Sequence, residues 1–172
     1  MEFDVNQKIK ERSVYADEVF KLLPSSSGIE LVVLKGHLAI EEFMYLALQD
    51  HVQDFKWIKE ARLSFNQLAC ILRSMNKMEG LNDAYSAIFA LNSIRNKCAH
   101  SLRGEGINAP IAKLRHTLPS ISEKHGNSDI QFIKSAVGYI ISMISINSRL
   151  EEIKSKELVI ELPKKKSEQP EA

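Results

Sequence analysis

Residues 82–102 read NDAYSAIFALNSIRNKCAHSL, a run without proline or glycine that predicts a helix of about six turns. At about 100° per residue, its apolar side chains recur three or four positions apart and form one stripe: Ala84, Ile88, Leu91, Cys98 and Leu102. Arg95 falls inside that stripe. An arginine at a buried position needs either a carboxylate partner or a site that uses its charge. Both interpretations stay open from the sequence alone.

Other long segments with helical periodicity lie on both sides of this one. All prolines fall between such segments, and few stretches alternate with period two. The sequence therefore predicts an all-α fold, an up-and-down bundle of four to five main helices. We expect these helices over residues 5–23, 29–49, 64–77, 82–102 and 128–156, with short helical pieces over 55–62 and 109–117 and a polar loop up to residue 126.

The predicted helices form one domain, residues 1–157. The last residues, 158–172, end in the polar stretch PKKKSEQPEA and predict a short extended or disordered tail.

The overall composition describes a single domain of a cytoplasmic protein. The chain has 172 residues, 44% of them hydrophobic, and a formal charge of +1. This balance excludes a protein that holds nucleic acid mainly by diffuse positive charge. Two cysteines are too few for a disulfide framework, the first residues lack an apolar signal segment, and no uncharged apolar run approaches membrane-spanning length.

A second face of the 82–102 helix is also largely apolar. Tyr85, Phe89, Asn96 and His100 share it, about 140° from Arg95 in the case of His100. A helix that is apolar on two sides predicts a partner helix across a two-fold homodimer interface. In such a dimer both copies of Arg95, Asn96 and His100 would meet in one cleft.

The central helix carries a second group of polar residues. His37 and Glu41 lie four positions apart, and Glu42 is adjacent. They are either additional residues of the Arg95 site or a polar strip where two helices cross. We expect Glu41 or Glu42 to be the ion-pair partner of Arg95. The sequence offers no third ligand, so we predict no metal site and no cofactor.

Residues 95–100, Arg-Asn-Lys-Cys-Ala-His, resemble the signature of the HEPN superfamily of small helical domains. That signature is an arginine, often followed by Asn, Asp or His, and a histidine after four to six intervening residues. The order of the predicted helices is similar as well, and uncharacterised bacterial families and mannitol-repressor-like proteins have a comparable layout.

The resemblance implies a metal-independent endoribonuclease that acts on single-stranded RNA as a homodimer. His100 would transfer protons, and Arg95 would bind the non-bridging phosphate oxygens. Asn96 would either orient His100 or donate a hydrogen bond to the phosphate. His37, Glu41 and Glu42 would support them. A toxin–antitoxin or phage-defence setting follows from the same resemblance.

One position departs from the family pattern. Family members that are paired with a nucleotidyltransferase antitoxin often carry a tyrosine two residues after the histidine, where this chain has Leu102. An antitoxin or nucleotidyltransferase partner of that kind is therefore in question. The alternative function is a catalytically inactive dimeric adapter or transcriptional regulator.

Overall fold

A computed structural model describes residues 5–24, 28–75, 81–100 and 106–161, and it describes side chains over 10–24, 28–75, 81–100 and 106–146. Helices make up the secondary structure of these residues. The described part contains these helices and no strand: α1 (Val5–Lys21), α2 (Ile29–Gln49), α3 (Phe55–Glu60), α4 (Phe65–Met75), α5 (Asn82–His100), α6 (Asn108–Thr117), α7 (Pro119–His125) and α8 (Asp129–Glu161). The predicted all-α fold is confirmed.

Helix α2 lies at the centre of the bundle and contacts α4, α5 and α8. It is apolar around most of its circumference, which is typical of a helix enclosed by others. Its closest neighbour is α8, since an added Cβ on Gly36 would lie 2.6 Å from a methyl carbon of Val137. The absence of a side chain at Gly36 lets the two helices pack tightly.

The start of α4 is fixed by a capping box, as its sequence predicts. The backbone N–H of Ser64 donates to the Gln67 side chain at 2.9 Å, and the N–H of Gln67 donates to the Ser64 hydroxyl at 3.4 Å. Just before it, Arg62 has a φ of 46°, in the left-handed region, which turns the chain sharply between α3 and α4. These local features set where Phe65 and Asn66 enter the bundle.

Helix α5 is enclosed by its own chain more fully than its sequence predicts. It contacts α2, α4, α6 and α8, and Tyr85 on its second apolar face is only 6% exposed. Burial of Tyr85 therefore does not require a second copy of the chain. The last residue of α5 is His100; Leu102 lies outside the described residues.

Two predictions about the C-terminal third are wrong. Residues 119–125 form helix α7 instead of a polar loop, because Pro119 suits a first helical turn and Ile121 packs against the core. Residues 158–161 continue helix α8 instead of becoming extended. No proline or glycine interrupts the chain between residues 139 and 162, and Pro163 then disfavours helix at the residue before it. The remaining tail, 162–172, lies outside the described residues.

One described segment, Asp129–Ile146 of α8, is long and apolar enough to cross a membrane by length and composition alone. Within this segment 39% is buried inside the bundle, and the largest fully buried side chains are Phe132, Ile133 and Ile140. Core helices pass the same test of length and composition, so this one segment is weak evidence for a membrane span.

Candidate functional site

A polar cleft opens where α2, α4 and α5 meet. Its volume is about 330 Å³, and its lining consists mainly of hydrogen-bonding side chains: His37, Glu41, Ser64, Phe65, Asn66, Asn92, Arg95 and Asn96. The structure thus brings four of the residues singled out in the sequence into one place, namely Arg95, Asn96, His37 and Glu41.

Helical spacing explains why these side chains converge. Asn92, Arg95 and Asn96 stand at positions i, i+3 and i+4 of α5, so they share one face. His37 and Glu41 are four apart on α2 and share a face in the same way. The start of α4 closes the third side of the cleft.

A chain of side-chain hydrogen bonds links the three helices behind the cleft. His37, 6% exposed, lies with its Nε2 3.0 Å from Asn92 Oδ1. An amide oxygen only accepts, so His37 Nε2 carries the proton and donates it. Asn92 Nδ2 in turn donates to Asn66 Oδ1 at 2.9 Å. The orientation of Asn66 is therefore set by a histidine on another helix.

His37 is held as a neutral imidazole. Burial lowers its pKa below the ordinary value of 6.5, the hydrogen bond to Asn92 partly opposes this shift, and the charge of Arg95 adds to it. Its ring also stacks on Phe65, with 3.9 Å between ring centroids. His37 therefore serves to position Asn92 and Asn66 in its uncharged form.

Arg95 enters the cleft without an acidic partner. Its Nη1 donates to Asn96 Oδ1 at 3.3 Å, while its Nε is buried and has no hydrogen-bond partner among the described residues. Within that part of the chain it forms no ion pair with Glu41 or Glu42, so the expectation that one of them pairs with it is wrong. Glu41 does line the cleft.

Glu42 lies on the face of α2 next to that of Glu41, and both glutamates line a groove between α2 and α3. Glu42 also lines a groove toward α1, and its hydrogen bond with Tyr15 is the main reason that the pKa of Tyr15 is raised to about 12. The structure therefore does not bring Glu42 into the cleft. A rotation of about 100° per residue separates it from Glu41 on the helix surface.

The hydrogen bonds around the cleft leave donors facing it. Asn66 and Asn96 each have their side-chain oxygen engaged by a neighbour, so the amide Nδ2 of each is the group left to bind a ligand. Arg95 adds further N–H donors and a permanent positive charge. The carboxylate of Glu41 and the hydroxyl of Ser64 also line the cleft, so an anion would bind on the side of Arg95 and the two asparagines. These donors fit an oxyanion with several acceptor oxygens, such as a phosphate group.

His100 does not line this cleft. It is the exposed last residue of α5, about one helical turn and about 6 Å along the axis beyond Asn96. Within one chain, the structure therefore brings together two of the three residues predicted as catalytic.

The sequence prediction missed Asn92 and Asn66. Asn92 had a readable signal, since it is a polar residue three positions before Arg95 in an otherwise apolar stretch of helix. Asn66 had none, because its role depends on contact with α5. In the described parts of the chain, no three His, Cys, Asp or Glu side chains lie close enough together to hold a metal ion.

Comparisons with protein-family models, with curated proteins and with solved structures find no match for this chain. The HEPN resemblance therefore rests on residues 95–100 and on the order of the helices.

Acidification should destabilise the protein through His37. The pKa of His37 is lower in the folded state than in the unfolded chain, so the unfolded chain binds more protons below about pH 6.5. The contribution of His37 to the free energy of unfolding is therefore complete above that pH. It is lost as the pH falls through the folded-state pKa. Melting temperatures measured from about pH 8 to about pH 5 should fall more steeply for the wild type than for His37→Gln. The matched control is His116→Gln on the exposed surface. Parallel curves for the wild type and His37→Gln would contradict a neutral, buried His37.

Proposed function

We propose that this chain is a metal-independent endoribonuclease that cleaves single-stranded RNA as a homodimer, with the Arg95 cleft as its phosphate site. The observation that carries this proposal is Arg95, which lines an open cleft with no hydrogen-bond partner for its Nε among the described residues. Asn66 and Asn96 add N–H donors beside it, and Glu41 contributes a carboxylate to the same lining.

An unpaired arginine at such a site favours a ligand that brings the missing acceptor. Leaving a buried guanidinium nitrogen without a partner costs about 1–3 kcal/mol, and a phosphate in the cleft would offset part of that cost by accepting charge-assisted bonds from the accessible Nη side of the same guanidinium. Asn66 and Asn96 would donate to the same phosphate without adding charge. Neutral His37 would keep the orientation of Asn66 fixed.

The proposed chemistry uses the ribose 2′-OH as the nucleophile, and that step needs proton transfer. His100 is the proposed proton carrier because an imidazole titrates near neutral pH. Its exposed place at the end of α5, outside the cleft of its own chain, fits a composite site in which His100 of one subunit serves the cleft of the other.

An exposed apolar stripe on α2 supports the proposed homodimer. Leu31, Leu34 and Leu38 stand at positions i, i+3 and i+7, and they are 40%, 43% and 55% exposed. The stripe borders the cleft, because His37 and Glu41 lie on the adjacent face of the same helix. An antiparallel contact centred on Leu38 would also set Lys35 of one copy opposite Glu41 of the other.

The proposed function is tested by RNA cleavage in the presence of EDTA. Wild-type protein should cut single-stranded RNA and leave a 2′,3′-cyclic phosphate or a 3′-phosphate. His100→Ala should remain folded and lose at least about 100-fold in rate, whereas His116→Ala, which removes another exposed histidine, should cleave normally. The proposal fails if no RNA pool is cut, or if His100→Ala is as active as the wild type.

The second candidate function is a dimeric adapter or regulator that binds phosphate groups without cleaving RNA. The distance of His100 from the cleft of its own chain favours it. Single-stranded RNA would then bind through Arg95 and be recovered intact, with no effect of His100→Ala. A toxin–antitoxin or phage-defence setting, and an antitoxin or nucleotidyltransferase partner, stay predictions from the resemblance alone.

A further inference from the structure

The short helix α3 presents an unusually exposed aromatic side chain. Trp57 is 64% exposed, the most exposed aromatic residue in the described part of the chain, and α3 has no buried residue. It is also the only tryptophan of the chain. A large aromatic ring left in water is available for stacking against a ligand.

A cationic side chain lies beside Trp57, and two others are close to it in the sequence. Lys56 Nζ lies 5.7 Å from the centre of the Trp57 ring. Lys59 lies against Phe55 instead, with its Nζ 5.2 Å from the centre of that ring, and the exposed Arg62 follows α3. The nearby acids compensate for them only weakly. Asp54 accepts the backbone N–H of Lys56 as the helix cap, and the Lys56–Glu60 pair, at 3.6 Å, is exposed on both sides.

This surface adjoins the Arg95 cleft. A groove of about 500 Å³ runs between α2 and α3. Phe55, Tyr45 and Lys59 line it together with the carboxylates of Glu41 and Glu42, and Trp57 is not part of its lining. Glu41 also lines the cleft, as does Ser64, which follows Arg62 by two residues. The cleft and α3 are therefore neighbours on the surface, and one strand with a phosphate in the cleft can extend to α3.

We propose that Trp57, flanked by Lys56, Lys59 and Arg62, is a stacking platform for an unpaired base of single-stranded RNA. The inference rests on the proposed function for the phosphate in the cleft. Stacking on an aromatic ring beside cations is the usual way in which single strands are held, because every base has a flat face and every linkage a negative charge. The exposed neighbours of Trp57 are charged, which favours a polyanion over an apolar protein surface.

The fluorescence of the protein tests this site selectively, because Trp57 is the only tryptophan. A dye-labelled single-stranded oligonucleotide with 2′-O-methyl groups, which cannot be cleaved through the 2′-OH, should quench the emission of the full chain as it binds. Trp57→Ala should weaken binding, measured by polarisation, by about 10-fold to 100-fold, while Trp57→Phe should retain most of the affinity. Leu22→Ala, at a position that is 66% exposed, is the matched control and should bind normally.

The outcomes separate the platform from the nuclease. In one outcome, the oligonucleotide quenches the wild-type emission and binds Trp57→Ala more weakly, but the wild type does not cleave natural RNA. This result would support the platform and contradict the proposed function. Binding without quenching, with full affinity of Trp57→Ala, would overturn the platform and leave the nuclease in place. Absence of any oligonucleotide binding would overturn the platform. Tryptophan emission that changes with protein concentration alone would also overturn it, because Trp57 would then lie in a contact between protein copies.

Discussion

Replacing Arg95 with methionine is expected to abolish RNA cleavage without destabilising the fold. Methionine retains the apolar part of the side chain and removes the buried Nε that has no partner among the described residues. The free energy of unfolding should stay the same or increase by about 1 kcal/mol, because a buried donor without a partner costs energy in the folded state. The rate of cleavage should fall by about 100-fold to 1,000-fold, as expected when one charge-stabilising donor is lost.

Opposite effects on stability and activity would mark Arg95 as a functional residue. The matched control is Arg73→Met on the exposed surface of α4, which should change neither quantity. Arg95→Lys should restore little activity, since lysine carries the charge but not the planar fork. If Arg95→Met lowers the melting temperature strongly and spares cleavage, Arg95 is a structural residue.

The Asn92→Ala variant should show the largest loss of stability among the polar residues of the cleft. Asn92 is 8% exposed and bonds to both His37 and Asn66. Its truncation leaves two groups without partners, so the free energy of unfolding should fall by about 2–4 kcal/mol in a urea titration. Affinity for single-stranded RNA should fall as well, because Asn66 loses the contact that orients its amide.

Asn96→Ala is the matched control, one helical turn further along α5. Asn96 is exposed, so its truncation should change stability by no more than about 0.5 kcal/mol. Equal stability losses in the two variants would contradict the description of Asn92 as the central link between α2 and α4. A stable Asn92→Ala variant with normal RNA affinity would contradict it too.

The helices were predictable wherever local chemistry sets their ends. The bounds of α2 match the sequence prediction because apolar periodicity continues from Ile29 to Gln49, and the start of α4 follows from the Ser64–Gln67 capping box. Helix α7 was missed because its residues are mostly polar and a single half-buried isoleucine attaches it to the core. The hydrophobic pattern is weak in such a segment, and contacts with the rest of the bundle determine whether it becomes helical.

The candidate site was predictable only in part. Arg95 was found because a charge interrupts an apolar stripe, and Asn96 because it follows Arg95 and shares a face with His100. His37 and Glu41 were found because they are spaced by four on one helix. The bonds from Asn92 to His37 and Asn66 join residues 55 and 26 positions apart. Such contacts depend on how helices pack, which no pattern within one helix reveals. The same limit applies to the partner of Arg95, since of the two adjacent glutamates only Glu41 lines the cleft, and within the described part of the chain it forms no ion pair there.

The most direct test of the Arg95 cleft as a phosphate site is an NMR titration with a non-cleavable single-stranded oligonucleotide, following the Nε–H signal of Arg95. Loss of one signal in Arg95→Met assigns it, and its buried position should slow its exchange with water. The Arg95 signal and the side-chain amide signals of Asn66 and Asn96 should shift together and saturate at one site per chain, while the signal of exposed Arg73 stays in place. Saturable RNA binding that leaves the Arg95 and Asn66 signals unchanged would contradict the proposed site.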